Sequence, residues 1–299
     1  MPHDTPAPAP APKRPPVRPL WGLLSETYQS WRQDNAQTLG AALAFYTTFS
    51  LAPVLIIVIA ILGVILGRET VQVEILRRAT ELIGAQGASA VKMMIKAAYR
   101  PGSGLPATII GILVILIGST SALVMLKQAL NLMWGARPDP QASAWNLVKG
   151  RLLYFVMILI IGLLLVLSLM VSIALSFVAE FLQNWVPVPV FSIQVANWGL
   201  SILLITLLFA MVFKILPDVK IAWSDVWVGS AFTAILFTLG KILFGMYLAR
   251  SSISSAYGAA SSLAIILMWV YYSAQVLFIG AELTQVYANR YGSQVKPRN

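Results

Sequence analysis

Charged and strongly polar side chains are few in this chain, and those set in or beside long apolar stretches are where chemistry could be done. Asn35, Tyr46, Ser50 and Pro53 lie at the start of the first stretch, Lys241 breaks the fifth, and Glu282 closes the sixth. At 100° per residue Asn35, Tyr46, Ser50 and Pro53 fall within about 60° of one another, giving a polar face bent where Pro53 removes an amide. One reading is a kinked helix lining a substrate path. The other is close helix packing through Gly40, Ala41, Ala44, Thr47 and Thr48, helped by the Gly63/Gly67 pair.

The last stretch carries a matching stripe. Ser261, Met268, Tyr271, Tyr272, Gln275 and Glu282 fall within about 100° on the helical wheel and should face the bundle interior. Glu282 sits near the cytoplasmic interface, where it is tolerated if hydrated or paired with Arg32 or Arg290 and would otherwise suit a proton relay or cation coupling. Lys241 lies about 27 Å along its helix from Trp223, in the outer half of the span. There it either snorkels to outer phosphates or faces a cavity and holds an anionic group. Glu180 suits it better as a carboxylate partner than Glu282, which lies at the opposite depth.

The elements that must position these residues are legible in the apolar runs. A bilayer core needs about 20 residues of helix to cross it. Six runs reach that length, over 39–67, 105–126, 152–180, 195–214, 225–249 and 259–284. None alternates with the period of two that a barrel wall requires, so the spans are helices. With 58% hydrophobic and 11% charged residues, the chain is expected to be an all-α, polytopic integral membrane bundle of six transmembrane helices. Residues 21–292 form the membrane domain. A Pro/Ala-rich tail with eight prolines precedes it over 1–20 and is expected to be a disordered arm without a cleavable signal; a short tail follows over 293–299.

With both termini cytoplasmic, the inner side carries 13 Lys/Arg and the outer side seven, so the positive-inside rule places the N- and C-termini inside. Six of the outer seven lie in the first loop, Arg68 to Gly104. That loop contains two amphipathic segments. Glu69 to Ile83 carries Val73, Leu76 and Ile83 on one stripe, and Ala88 to Tyr99 carries Val91, Met94, Ile95 and Ala98 on another. These helices either lie on the outer membrane surface with Lys92 and Lys96 toward phosphates or pack over the bundle.

Enzyme chemistry finds little support. The one histidine, His3, lies in the tail and cysteine is absent, so there is no thiolate nucleophile and no His/Cys metal site. The cytoplasmic carboxylates are scattered singly, with Asp218 and Asp225 the nearest to a pair, and no Walker A loop occurs. No catalytic residue, metal or cofactor is expected. The net charge of +10 is accounted for by the inner loops, without nucleic acid.

Several motifs carry a family resemblance. Ala41-Ala-Leu-Ala-Phe-Tyr-Thr-Thr-Phe-Ser-Leu-Ala-Pro53, Leu130-Asn-Leu-Met-Trp-Gly135, Gly240-Lys-Ile-Leu-Phe-Gly-Met-Tyr247, Tyr257-Gly-Ala-Ala-Ser-Ser-Leu, Met268-Trp-Val-Tyr-Tyr-Ser-Ala-Gln and Gly280-Ala-Glu282 resemble the bacterial YihY/BrkB family from about Trp31 to Arg290. The resemblance implies a six-helix inner-membrane protein described as a transporter or virulence-associated factor. It also brings an old label, ribonuclease BN, that the residues here do not support. The function expected is therefore movement of a small or amphipathic anionic solute or lipid. The path would run past Asn35, Tyr46, Ser50, Pro53, Lys241, Tyr257, Tyr271, Gln275 and Glu282. The alternative is a non-transporting scaffold that binds partners. Membrane lipids and an unidentified solute are the expected partners, and a homo-oligomer is open to either reading.

Overall fold

The structure is a computed structural model; it describes residues 20–98, 105–136, scattered positions within 150–163, 190–250 and 258–293. Among these residues the chain is helical, with α1 (Leu20–Gln33), α2 (Ala36–Leu66), α3 (Arg68–Ala98), α4 (Leu105–Met133), α5 (Val190–Ile215), α6 (Trp223–Arg250), a 3₁₀ turn (Gly258–Ala260) and α7 (Ser261–Arg290). Among the described residues, four segments are long and apolar enough to cross a membrane: Ala36–Val64, Trp198–Ile215, Trp223–Arg250 and Ser261–Arg290. The expected second span continues without a break as α4. The expected third span, 152–180, lies almost wholly outside the described residues, as does Tyr257.

Helix α7 is the axis on which the others assemble; α1, α2, α3, α4 and α6 all touch it. Its junction with α6 is the tightest. A Cβ added at Gly229 would overlap Thr284 Oγ1, and one added at Gly280 would overlap Thr233 Oγ1. Each threonine hydroxyl turns back to a glycine carbonyl on its own helix, Thr233 to Gly229 at 2.6 Å and Thr284 to Gly280 at 2.7 Å. Two small-xxx-small faces thus interlock reciprocally, the arrangement that lets helix backbones approach closely in lipid. Farther along, Gly240 receives the ring of Tyr272, whose hydroxyl donates to the Leu236 carbonyl at 3.2 Å. These contacts make α6 and α7 antiparallel.

Helix α2 also runs antiparallel to α7, with Gly40 against Gln275. It stays one helix through Pro53, whose ring meets α4 where a Cβ at Gly118 would lie 3.0 Å away. A cluster of Ala36, Leu43, Leu126, Leu130, Phe209, Phe213 and Phe278 joins α2, α4, α5 and α7 in the core.

Helix α1 has no counterpart among the expected spans. Leu23, Thr27 and Trp31, four residues apart, form its buried face, while Trp21, Leu24 and Tyr28 are exposed. The turn into α2 is made by Asn35 in the left-handed region at φ 51°, ψ 39°, a conformation asparagine tolerates better than most residues.

The two amphipathic segments expected in the first loop form α3, broken at Gly84 with φ 71°, ψ 174°. That backbone region is open essentially to glycine alone. Both halves pack over the bundle: Val71, Ile83, Val91 and Ile95 lie against Leu55, Ile59 and Leu62 of α2 and Ile265, Ile266 and Trp269 of α7. Lys92 and Lys96 point outward. Of the expected first stripe, Leu76 and Ile83 pack on this cluster together with Val71, Ile75 and Ala79, whereas Val73 is 66% exposed. Glu74 and Glu81 pair with Arg77 and Arg78 on the side away from the core.

At the opposite end of the bundle, four chain segments meet through polar contacts. Asn131 and Asp218 exchange two hydrogen bonds at 2.8 Å, and Lys127 pairs with Asp218 at 2.8 Å. Gln285 donates to the Met133 carbonyl at 2.6 Å, Lys214 donates to the Ile221 carbonyl, and Arg290 pairs with Glu26 at 3.3 Å. Gly135, at φ 62°, closes α4 in a left-handed cap, with the Ala136 amide reaching the Asn131 carbonyl at 2.8 Å. The expected inner segments before α2, after α4, between α5 and α6 and after α7 therefore share one end.

Candidate functional site

Two buried carboxylates mark that end, in different settings. Asp225, 2% exposed in the first turn of α6, accepts from the Ser293 amide at 3.0 Å, the Ser293 hydroxyl at 2.7 Å and the Ser224 hydroxyl at 3.2 Å. Glu282 of α7 is 0% exposed, and neither of its oxygens closes a hydrogen bond on any described residue. The basic partners expected for it are elsewhere: Arg290 is held by Glu26, and Arg32 is exposed. The reason is geometric. Arg290 lies eight residues beyond Glu282, more than two helical turns away, where it meets α1 instead of the α7 interior.

Asp34, at the corner between α1 and α2, is the group that acts on Glu282 electrostatically. Burial pushes the Asp34 carboxyl up from the ordinary aspartate range, and its interaction with Glu282 pulls the other way. Since both Glu282 oxygens lack a partner of normal geometry, the contact is one of neighbouring carboxyls and not a formed hydrogen bond.

One level higher on the same side of α7, Gln275 donates to the Ala36 carbonyl at 3.2 Å and packs on Gly40, leaving its own amide oxygen buried without a partner. Ser230 Oγ and the indole nitrogens of Trp31 and Trp134 are likewise buried and unpartnered among the described residues. With the Glu282 oxygens, these are the buried side-chain polar atoms left without a partner among the described residues.

Above Gln275, a shallow, open groove of about 270 Å³ lies between α2 and α7, lined by Ala41, Ala44, Leu267, Met268 and Tyr271. Its walls are almost entirely carbon. Tyr271, 37% exposed, supplies its polar rim.

The structure separates the residues that the sequence grouped. Tyr46 is 43% exposed on α2, whereas Ser50 is 2% exposed and donates to the Thr47 carbonyl at 3.0 Å. Asn35 forms the α1–α2 corner, Pro53 meets α4, and Gln275 and Glu282 line the α2 side of α7. Lys241 stands on α6 next to Gly240, half-buried and without an ion-pair partner among the described residues. Glu180 lies outside those residues. Asp34 was not legible as a site residue: nothing in the local sequence links it to a glutamate at the far end of the chain. No group of three or more His, Cys, Asp or Glu arranged to hold a metal ion occurs among the described residues.

Residues 27–299 match the family model described as "Virulence factor BrkB". Curated relatives include UPF0761 membrane proteins from Ralstonia nicotianae, 25% identical over 84% of this chain and 55% of the relative, and from Psychrobacter, 25% identical over 89% and 48%. Another, from Rhodospirillum centenum, is 28% identical over 88% of this chain and 56% of the relative. The chain thus spans about half the length of the curated relatives it matches. No solved structure matches it. Its motifs, its apolar helices and a family match covering nearly the whole membrane domain agree, and the chain belongs to the BrkB family of membrane proteins.

Proposed function

We propose that this protein moves an amphipathic anion across the bacterial inner membrane in the manner of a lipid flippase, with both termini on the cytoplasmic side. The observation that carries the reading is the α2–α7 groove. An open cleft with carbon walls suits an acyl chain better than a hydrated ion, because a polar solute would leave its own groups unpaired against alanine, leucine and methionine. Lys241 supplies the anion preference. It is unpaired among the described residues and stands one position from Gly240, which receives Tyr272, next to the groove residue Tyr271. A headgroup phosphate near that level would offset the cost of a cation in the span.

A six-crossing topology fits the same reading. Helices α4 and α5 both end at the Asn131–Asp218 contact, so two consecutive described helices run the same way. A return between them is required, and the apolar run over 152–180 is long enough in sequence to provide it.

The test is reconstitution into vesicles holding a headgroup-labelled anionic phospholipid, with a membrane-impermeant quencher outside. Inner-leaflet label should become accessible faster as protein density rises. Ala41→Trp, which fills the groove, and Lys241→Met, which removes the charge, should each slow this while the protein still inserts and purifies. Rates equal to those of protein-free vesicles, or equal rates in wild type and both variants, would overturn the proposal.

A further inference from the structure

We infer that Glu282, with Asp34 as its neighbouring carboxyl, forms a proton-binding site that retains one proton. The site itself stands on the buried pair; its use as the coupling ion for transport rests on the flippase reading.

The argument begins with Glu282. An ionised carboxylate with no exposure and no hydrogen-bond donor is among the most expensive groups a protein can bury, and proteins meet that cost by pairing it or by keeping it protonated. Among the described residues, pairing is not on offer from the surrounding elements. On α1, Glu26 is engaged by Arg290 and Arg32 is exposed. On α4, Lys127 is engaged by Asp218; on α6, Asp225 is engaged by Ser293, and Lys241 lies more than two turns beyond Gly229, the level of Thr284. The charged groups of α3 pair with one another or face outward, and that helix packs on the other half of α7. Helix α2 carries no charged residue within its bounds. On α7 itself, Tyr287 stacks on Tyr291.

What remains beside Glu282 is a second acid, Asp34. A charge on Asp34 adds to the cost of ionising a Glu282 that is already buried without a donor, so one proton is retained. It resides mainly on Glu282, the more deeply buried partner, with Asp34 as the neighbouring carboxyl. Asp34 lies at the corner before α2, outside the membrane-crossing part of that helix, and is the exit through which the proton reaches solvent.

A proton fits better than a metal cation. Sodium or a divalent ion would need about six oxygen ligands, and the described residues offer no cluster beyond this pair.

The experiment is infrared spectroscopy of the full chain in lipid nanodiscs, where the C=O stretch of a protonated carboxyl stands apart from amide and carboxylate bands. Wild type at neutral pH should show this band, shifting on transfer to deuterium oxide and disappearing in alkaline buffer. Glu282→Gln should abolish it. Asp34→Asn should keep it and move its loss to a different pH, which also serves as the readout if Glu282→Gln does not fold. No neutral-pH band in wild type, or an unchanged band in Glu282→Gln, would overturn the proposal, as would loss of the band on adding sodium chloride at fixed pH, which would assign the site to a metal cation. Lipid movement is measured separately, so a protein that shows the band but moves no lipid refutes the flippase reading alone.

Discussion

Asp225 and Glu282 are both acidic, both almost fully buried and both near the same end of the bundle, yet they are held in opposite ways. Asp225 sits where α6 begins, an electropositive helix terminus, and three donors converge on it. Glu282 sits within α7, where the backbone amides are already spent, and no donor reaches it. The donors around Asp225 tie it to the architecture, whereas Glu282 is buried without any among the described residues.

The contrast is most directly broken at Asp225. Asp225→Leu removes an acceptor from three donors and frees the chain after α7, and should destabilise the protein by about 3 kcal/mol in denaturant unfolding in detergent. A loss below that of an ordinary surface substitution would show that the clamp is not structural.

A smaller effect, in pH dependence, sharpens the other half of the comparison. Because burial raises the Asp34 carboxyl, the folded state binds its proton more tightly than the unfolded chain does. Its contribution is therefore present in acid and is lost as pH rises from the ordinary aspartate range through the raised value. Melting temperature should decline across that window in wild type and decline less in Asp34→Asn. Parallel profiles would remove Asp34 from the site.

The smallest effect is expected at the exposed edge of the same end. Lys127 pairs with an Asp218 side chain that is 55% exposed and already held by Asn131. Lys127→Met should therefore change stability by no more than about 1 kcal/mol, an effect that salt masks. A change rivalling that of Asp225→Leu would mean that the polar end works as one network.

Much of this architecture could be read from the sequence, and the parts that could not share a cause. Apolar runs reveal spans because bilayer thickness sets their length, and Gly84 marked the break between two amphipathic patterns. Helix α1 was missed because its signal, Leu23, Thr27 and Trp31 four apart, is short and passes through a polar residue. The wheel put Tyr46 and Ser50 on one face, but azimuth does not tell how far a neighbouring helix covers that face. The Glu282–Asp34 pairing required knowing that α2 and α7 run antiparallel in contact. Small-xxx-small packing was expected at Gly63/Gly67, whereas the junction that uses it is Gly229/Thr233 against Gly280/Thr284, spacings equally present in the sequence.

That reciprocal glycine–threonine junction sets what can move. Each threonine fills the space a side chain would need on the facing helix, so α6 and α7 can neither slide nor roll past one another without collision, and they behave as one stiff beam. On its other face α7 meets α2 through two apolar clusters, the Gln275 hydrogen bond and an open groove, a contact of apolar surfaces in place of a reciprocal glycine–threonine lock. In the transport proposed above, α6 and α7 would therefore move together, and the Asp34–Glu282 pair would tie that unit to the corner between α1 and α2.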